Sequence, residues 1–277
     1  MFTRQGHSPS VRFPRVLGIE AVGVVESAPD GDFATGQIVA TAMGGMGRDF
    51  DGGYAEFTCV PSKHVQVIKT QLPWETLGAL PEMMQTAWGS LFIALDLQPG
   101  ERLLVRGGTT SVGLAAAAIA KLHGAHVMAT TRKADRADML KQNGADEVFV
   151  DTGAIAQEVQ KAGGAHKVLE LIGVATLKDS LQATLPKGTV CMTGIAGNKW
   201  SFDEFSPMEA IPTAVKLTAY SGGPSEFMQT PLEQFASQIA QGKLKVHTGK
   251  AFTMDQIVAA HEAMETGSQA GRMVVLT

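Results

Sequence analysis

Two textures of apolar and polar positions divide this chain. Over the first third, short apolar runs are separated by glycine and turn residues. Val16–Glu26 (VLGIEAVGVVE), Gln37–Thr41 (QIVAT) and Gly52–Pro61 (GGYAEFTCVP, entered through Asp51-Gly52-Gly53) each predict a strand. Leu77–Leu95 carries helical spacing interrupted at Pro81. From Glu101 the texture changes. Strand-like runs at Arg102–Arg106, His126–Thr131, Glu147–Asp151, Lys167–Ile172 and Thr189–Gly194 alternate with helix-like runs at Val112–Leu122, Lys133–Asn143, Ala154–Ala162 and Ala175–Leu185. Gly124 and Gly144 stand where helices are expected to end. That alternation predicts an α/β fold, a parallel sheet with helices on both faces. After Tyr220 the pattern reads helix (Pro231–Gln241), strand (Val246–Ala251), helix (Met254–Glu265) and strand (Gly271–Leu276), a tail expected to pack back on the first third.

With 277 residues, 44% of them apolar and 18% charged, the chain can bury a large core in one domain or two. The net charge of −4 offers no basic field, which argues against nucleic acid as a partner. Cys59 and Cys191 form neither a metal-ligand spacing nor a disulfide framework, which points to a reducing compartment. The longest apolar stretch, Leu114–Ala120, falls far short of the roughly 20 residues of a membrane span. The opening MFTRQGHSP has no apolar signal core, so a soluble cytoplasmic protein is expected.

The most telling stretch is Leu103–Gly124, LLVRGGTTSVGLAAAAIAKLHG. An apolar strand meets a loop of small residues and then an alanine-rich helix. A loop of that kind at a helix N-terminus aims backbone N–H groups at an anion, and strand–loop–helix is the pyrophosphate-binding start of a dinucleotide fold. The glycine pattern is imperfect: Gly107, Gly108 and Gly113 are present, but Thr110 and Ser111 hold central positions where glycine is common. Taken alone it is also an ordinary βα turn; a strand before, a helix after and a second strand on schedule favour the dinucleotide reading. Gly107, Thr109, Thr110, Ser111, Val112 and Gly113 are the expected pyrophosphate residues, with a hydroxyl adding a hydrogen bond.

The end of the second strand bears on which dinucleotide. An acidic residue there would serve the ribose 2′-OH of NAD. The chain reads Ala129-Thr-Thr-Arg132-Lys133, with no acid before Asp135. Arg132 and Thr131 suit a 2′-phosphate, and on a helix Arg136 would share the face of Arg132. A solvated basic helix start is the plainer alternative, but cations are disfavoured at that end of the dipole, so NADPH is preferred over NADH. No histidine forms an H-x-x-x-H pair or joins a cysteine at ligand spacing, so no metal is expected. No G-x-S-x-G elbow occurs, and both cysteines read as small buried hydrophobes.

These residues resemble the zinc-independent quinone oxidoreductases of the medium-chain dehydrogenase/reductase superfamily. The resemblance is carried by Pro14-x-x-x-Gly18-x-Glu20-x-x-Gly23-x-Val25, Gly52–Glu56, Thr86-Ala87-Trp88, the Gly107–Gly113 loop, Gly144-Ala145-Asp146, and Ala260-His261-x-x-Met264-Glu265 with Gly271-Arg272. It implies a GroES-like mainly-β domain over residues 1–87, a Rossmann doubly wound domain over 88–222, and a segment 223–277 returning to the first. Zinc-dependent relatives carry histidine directly before the residue matching Glu20; here that position is Ile19, and the cysteine-rich zinc lobe is missing. Relatives also carry a segment ahead of the point matching Met1, which implies a first domain that begins part-way through.

The resemblance implies NADPH-dependent hydride transfer to a quinone or to the β-carbon of an α,β-unsaturated carbonyl. Such acceptors are electron-poor, and solvent can protonate the product oxygen, so no strong acid–base side chain is required. Interconversion of alcohol and ketone would need another electrophile in place of zinc, and none is evident. Thr193 and Gly194 are expected to face the nicotinamide half. Thr86 and Tyr54 are candidates for the domain cleft, Tyr54 reading equally as a half-buried strand aromatic. A homodimer is expected through the edge of the dinucleotide sheet, with Lys216–Gly222 as the candidate edge. The alternative is an NADPH-binding protein without turnover, a sensor or crystallin-like protein, with an incomplete nicotinamide pocket.

Overall fold

The computed structural model describes residues 3–8, 10–266 and 271–277; Met1, the position at which the resemblance suggested an early start, lies outside the described residues. The chain forms two compact units, Met1–Gln85 with Gly222–Thr277, and Thr86–Ser221.

The first unit opens with an antiparallel sheet of β1 (Glu20–Val24), β2 (Ile38–Ala42) and β3 (Val65–Val67) in that order, with Val22 opposite Ala40 and Ala40 opposite Gln66. Two helices follow, α1 (Trp74–Leu77) and α2 (Pro81–Trp88). Proline suits the first turn of a helix, where its missing N–H has no partner to lose, so the interruption at Pro81 is a helix start. The strand expected over Gly52–Pro61 does not form. The N–H groups of Gly52, Gly53 and Tyr54 donate instead to the carbonyls of Val16, Gly18 and Leu17, folding this segment onto the 16–18 turn with no ladder of its own.

In the second unit a π-helical turn, Gly89–Ala94, leads to a wholly parallel sheet. Its strands are β4 (Arg102–Arg106), β5 (His126–Thr131), β6 (Glu147–Val150), β7 (Ala165–Glu170), β8 (Thr184–Met192) and β9 (Lys216–Ala219), in the order β6-β5-β4-β7-β8-β9. The connecting helices are α3 (Ser111–Leu122), α4 (Ala137–Gln142), α5 (Ala156–Lys161), α6 (Val174–Gln182) and α7 (Pro207–Ala210). Leu104, Met128, Val168 and Val190, one from each central strand, share a cluster with Ile155, Val159, Leu177 and Leu181 of the α5–α6 layer. Their strand neighbours Leu103, Val127, Leu169 and Cys191 are equally buried and point to the opposite face, as the two-residue period demands. Burial on both faces explains the continuous apolar runs, and this is the doubly wound Rossmann-like arrangement.

Gly124 and Gly144 close α3 and α4 at φ +93° and +109°, and the next N–H groups, of Ala125 and Ala145, return to Ala120 and Leu140. The helix expected over Lys133–Asn143 begins as a 3-10 turn, Ala134–Arg136, before α4. β8 starts five residues earlier than its apolar run; a register shift against β7 accommodates the bend at Pro186-Lys187-Gly188, with Lys187 at φ +71°.

The chain then completes the first unit with α8 (Pro224–Gln229), α9 (Leu232–Ala240), β10 (Thr248–Thr253), α10 (Ile257–Thr266) and β11 (Arg272–Leu276), β10 and β11 pairing in parallel. Among the described residues no helix is long and apolar enough to cross a membrane.

Three charges tie this unit together. The Glu20 carboxylate accepts the N–H of Glu82 at 2.9 Å, in the first turn of α2, where the helix dipole favours an anion. Arg272 donates to the same carboxylate and lies 3.0 Å from Glu82. Burial, with Glu82 alongside, holds the Glu20 carboxyl above its usual range although Arg272 draws it down. Burial also works against the Arg272 charge, but the two carboxylates more than offset it and its proton is held more tightly than in free arginine. Arg272→Met should therefore leave two carboxylates facing each other. A loss of about 2–3 kcal/mol in urea unfolding is expected, short of a fully buried pair because the Arg272 and Glu20 side chains keep 26% and 15% of their exposure. Adding Glu20→Gln should recover part of that loss; a change below about 0.5 kcal/mol in Arg272→Met would show that the cluster is dispensable.

Candidate functional site

The strand order reverses at β4. The chain leaves β4 for β5 on one side and later returns to β7 on the other, and a crevice at the carboxyl ends of such strands is the usual ligand position. Four segments follow these ends: 107–113 after β4, 131–136 after β5, 171–173 after β7 and 193–197 after β8.

In the first segment, Thr110 is the N-cap of α3. Its hydroxyl accepts the N–H of Gly113 at 3.0 Å and donates to the carbonyl of Gly107 at 2.8 Å, so it is committed to shaping the loop. The extra hydroxyl bond expected from Thr110 toward a ligand is thus already used within the chain. A Cβ at Gly113 would lie 2.5 Å from the Gly107 carbonyl oxygen, so only glycine lets the loop close this tightly. The N–H groups of Thr109, Ser111 and Val112 find no acceptor among the described residues. Ser111 and Val112 are the first two residues of α3, whose N–H groups have no intrahelical partner. Three unmatched donors at the positive end of a twelve-residue helix make a cradle suited to an anion, and the sequence-predicted loop residues are gathered there.

Below the loop lies a feature that the sequence reading did not single out. Arg106, the last residue of β4, is fully buried. Its guanidinium makes a bidentate pair with Asp151 at 3.0 and 2.9 Å and reaches Asp179 of α6 at 2.5 Å. Asp179 also accepts the N–H groups of Ile155 and Ala156 at the start of α5. Glu170, at the end of β7, accepts from Ile172, Gly173 and Ser180. Burial would raise the Asp151 carboxyl, but the bonds and charge of Arg106 hold it below the usual range. In Glu170 burial prevails and the carboxyl is raised. The signal was in the chain: Arg106 and Asp151 close predicted strands directly after apolar residues, Glu170 stands between Leu169 and Leu171 in a third, and charged residues are rarely buried unless paired.

In the 131–136 segment, Thr131 is buried and its hydroxyl closes a local turn, accepting from Lys133 N–H and donating to Lys133 carbonyl oxygen. It shapes the turn and does not offer a free hydroxyl. Arg132 and Lys133 are exposed and Arg136 is half-buried; no acid pairs with any of them among the described residues. Arg132 precedes the 3-10 turn that ends at Arg136, so the shared α-helical face expected of the two does not form.

Thr193 and Gly194 leave β8 with both N–H groups on the Glu170 carbonyl. The Thr193 hydroxyl lies 2.9 Å from that of Ser90, a buried residue of the π-helical turn that had not been expected here, and 3.4 Å from Cys191 Sγ. Burial raises the Cys191 thiol, in keeping with an inert core cysteine. Thr86 is the first residue of this second unit, half-buried on α2. Tyr54 belongs to the first unit, half-buried in the coil that replaces the expected strand. Its hydroxyl lies 3.3 Å from Nε2 of His261, with the rings edge to face at 5.8 Å. Burial raises the Tyr54 phenol and lowers the His261 imidazole, so both are neutral near pH 7. Among the described residues no group of three or more His, Cys, Asp or Glu is placed to hold a metal ion.

Known proteins share this organisation. Residues 1–71 match the family described as alcohol dehydrogenase GroES-like domain, and residues 111–237 the family described as zinc-binding dehydrogenase. The chain is 26% identical to the quinone oxidoreductase of Homo sapiens over 99% of its own length and 84% of that protein. It is 27% identical to an acryloyl-coenzyme A reductase of Sulfurisphaera tokodaii over 69% of its length and 63% of that protein. Among solved structures, a mycobacterial protein in complex with NADPH superposes with a TM-score of 0.86 at 25% identity, covering 100% of this chain and 86% of that one.

The Arg106 cluster carries a pH signature. A carboxyl depressed by folding stabilises the fold fully above its unfolded value near ~3.9, and that stabilisation is lost as pH falls through the folded value. Raised Glu170 has the opposite sign, since acid relieves its burial. Asp151→Asn should lower stability at pH 7 by about 2–3 kcal/mol, because Arg106 loses a charge partner. Its unfolding midpoint should then fall less steeply than that of the wild type between about pH 5 and 3. Urea or thermal unfolding across that range checks both, and an unchanged acid limb would mean that other carboxylates carry it.

Proposed function

Because the chain belongs to the medium-chain dehydrogenase/reductase superfamily, we propose that it is an NADPH-dependent oxidoreductase that reduces a quinone or an α,β-unsaturated carbonyl without a catalytic metal. The observation that carries the reading is the pairing of the unmatched N–H groups of Thr109, Ser111 and Val112 with unpaired cations at the end of the adjacent strand. The first feature suits the pyrophosphate common to both coenzymes; Arg132, Lys133 and Arg136 suit the 2′-phosphate that only NADPH carries. The quinone oxidoreductase and acryloyl-coenzyme A reductase relatives support acceptors of this electron-poor kind.

The chemistry that a bound NADPH would supply is hydride transfer to such a carbon. The protein's share is binding, orientation and exclusion of water. The 107–113 loop grips the pyrophosphate, and Thr193, steadied by Ser90, and Gly194 orient the nicotinamide half. Solvent supplies the proton to the quinol or enolate oxygen, which fits a site where the neighbours of the Thr193 hydroxyl are the Ser90 hydroxyl and the Cys191 thiol, whose acidity burial weakens further. β9 is an edge strand with Leu217 36% exposed, and it is the candidate contact for a second copy in a homodimer.

A two-part assay tests the activity. NADPH fluorescence should report binding, and NADPH should then be oxidised with a naphthoquinone or a simple enone as acceptor. Arg132→Ala should weaken NADPH about tenfold while leaving NADH unchanged, the loss of one charge-assisted contact. Binding without oxidation would leave a dinucleotide-binding protein without turnover. Light scattering on the eluted protein should give twice the mass of one chain; a monomer would remove the β9 contact.

A further inference from the structure

Each N–H of the phosphate loop has an identifiable fate, and one residue outside the loop decides two of them. Thr130, in β5, is buried beside β4 with 1% of its surface exposed. Its hydroxyl oxygen accepts the N–H of Gly107 at 3.0 Å, and its carbonyl oxygen accepts the N–H of Gly108 at 3.1 Å. The same hydroxyl donates its proton to Asp151 Oδ2 at 3.3 Å. Asp151 cannot turn away, because Arg106 holds both of its carboxylate oxygens and the N–H of Gly153 adds a third bond at 2.9 Å. With its only proton committed to Asp151, the Thr130 hydroxyl presents a lone pair to Gly107.

We propose that Thr130, oriented by Asp151, is a positioning residue for the pyrophosphate cradle. It draws the two leading glycines back onto β5, and so leaves the N–H groups of Thr109, Ser111 and Val112 as the set that meets the anion. This rests on the dinucleotide-binding reading given above. A threonine that merely filled space in a buried strand would be matched by valine, which has the same shape. Here valine strands the Gly107 N–H and one contact of Asp151, and an unmatched buried donor lets the loop move to find water. Because the pyrophosphate is common to both coenzymes, the effect falls equally on each. The Arg132 turn, in contrast, acts on NADPH alone.

The test uses the full chain. Thr130→Val should raise the Kd of both NADPH and NADH about tenfold, with their ratio unchanged, and Thr130→Ser, which keeps the hydroxyl, should restore both to within about threefold of wild type. Should Thr130→Val fail to fold, residue-resolved amide exchange on the wild type decides. Gly107 and Gly108 should be protected without coenzyme, and Thr109, Ser111 and Val112 should gain protection only when NADPH is added. Thr130→Val binding within twofold of wild type, a serine variant as weak as valine, or exchange-labile Gly107 and Gly108 amides would each overturn the proposal. A wild-type chain that binds neither coenzyme overturns this inference together with the function. A wild type that binds, with Thr130→Val unchanged, overturns this inference alone.

Discussion

A guanidinium with no access to water must have its charge answered within the protein, and the second unit is organised around that requirement at Arg106. The answer comes from two directions. Asp151, just past β6, meets the planar fork with both oxygens, and Asp179 approaches from α6. Those acids in turn hold the start of α5 and the turn after β6. One buried cation thus fixes the relative placement of β4, β6, α5 and α6. These are elements that apolar packing alone would let slide, since alternative aliphatic contacts differ little in energy. The loop that follows Arg106 inherits this precision, because it starts from a residue held by two carboxylates.

The site built on that anchor divides its polar groups into two kinds. Thr110, Thr130, Thr131 and Glu170 spend their hydrogen-bonding capacity on the chain itself, shaping turns. The groups left over are backbone donors at a helix start and cations on an exposed turn. A binding surface made of what the fold leaves unsatisfied is preorganised, since nothing must be broken before a ligand enters.

Much of this was legible in the chain. β4 and β5 have the limits read from their apolar runs, because flanking charge and glycine end both sharply. The doubly wound sheet followed from alternation of period, a property of every element at once. What escaped was set by tertiary partners. Gly52–Pro61 alternates like a strand, yet its backbone bonds go to the 16–18 turn, a pairing that no local pattern encodes. Lys133–Asn143 has helical composition, but the Thr131 turn directs its first residues into a 3-10 conformation. Thr110 and Thr131 lie in the loop and at the turn, but both hydroxyls close on the chain itself, because whether a hydroxyl faces outward or back depends on a rotamer. Ser90 escaped for a different reason: a π-helical turn rotates its residues away from the face that a regular helix would predict.

The turn at Thr131–Arg136 has a consequence for how such a protein changes over generations. Arg132 and Lys133 are exposed and pair with no acid among the described residues, while the carbonyl of Thr131, at the root of the turn, accepts the N–H of Asp151 at 2.7 Å; the Thr131 hydroxyl and the Arg136 N–H, both bonded to Lys133, close the turn on its own backbone. Substitutions at Arg132 or Lys133 therefore leave folding untouched, whereas those at the buried Thr131 and Thr130 just before them reach the interior at once. The boundary between what natural selection can explore freely and what it must conserve falls between adjacent positions of a single strand and its exit. A lineage could exchange one coenzyme for its near twin by drift on that turn while the grip on their common part stayed unaltered.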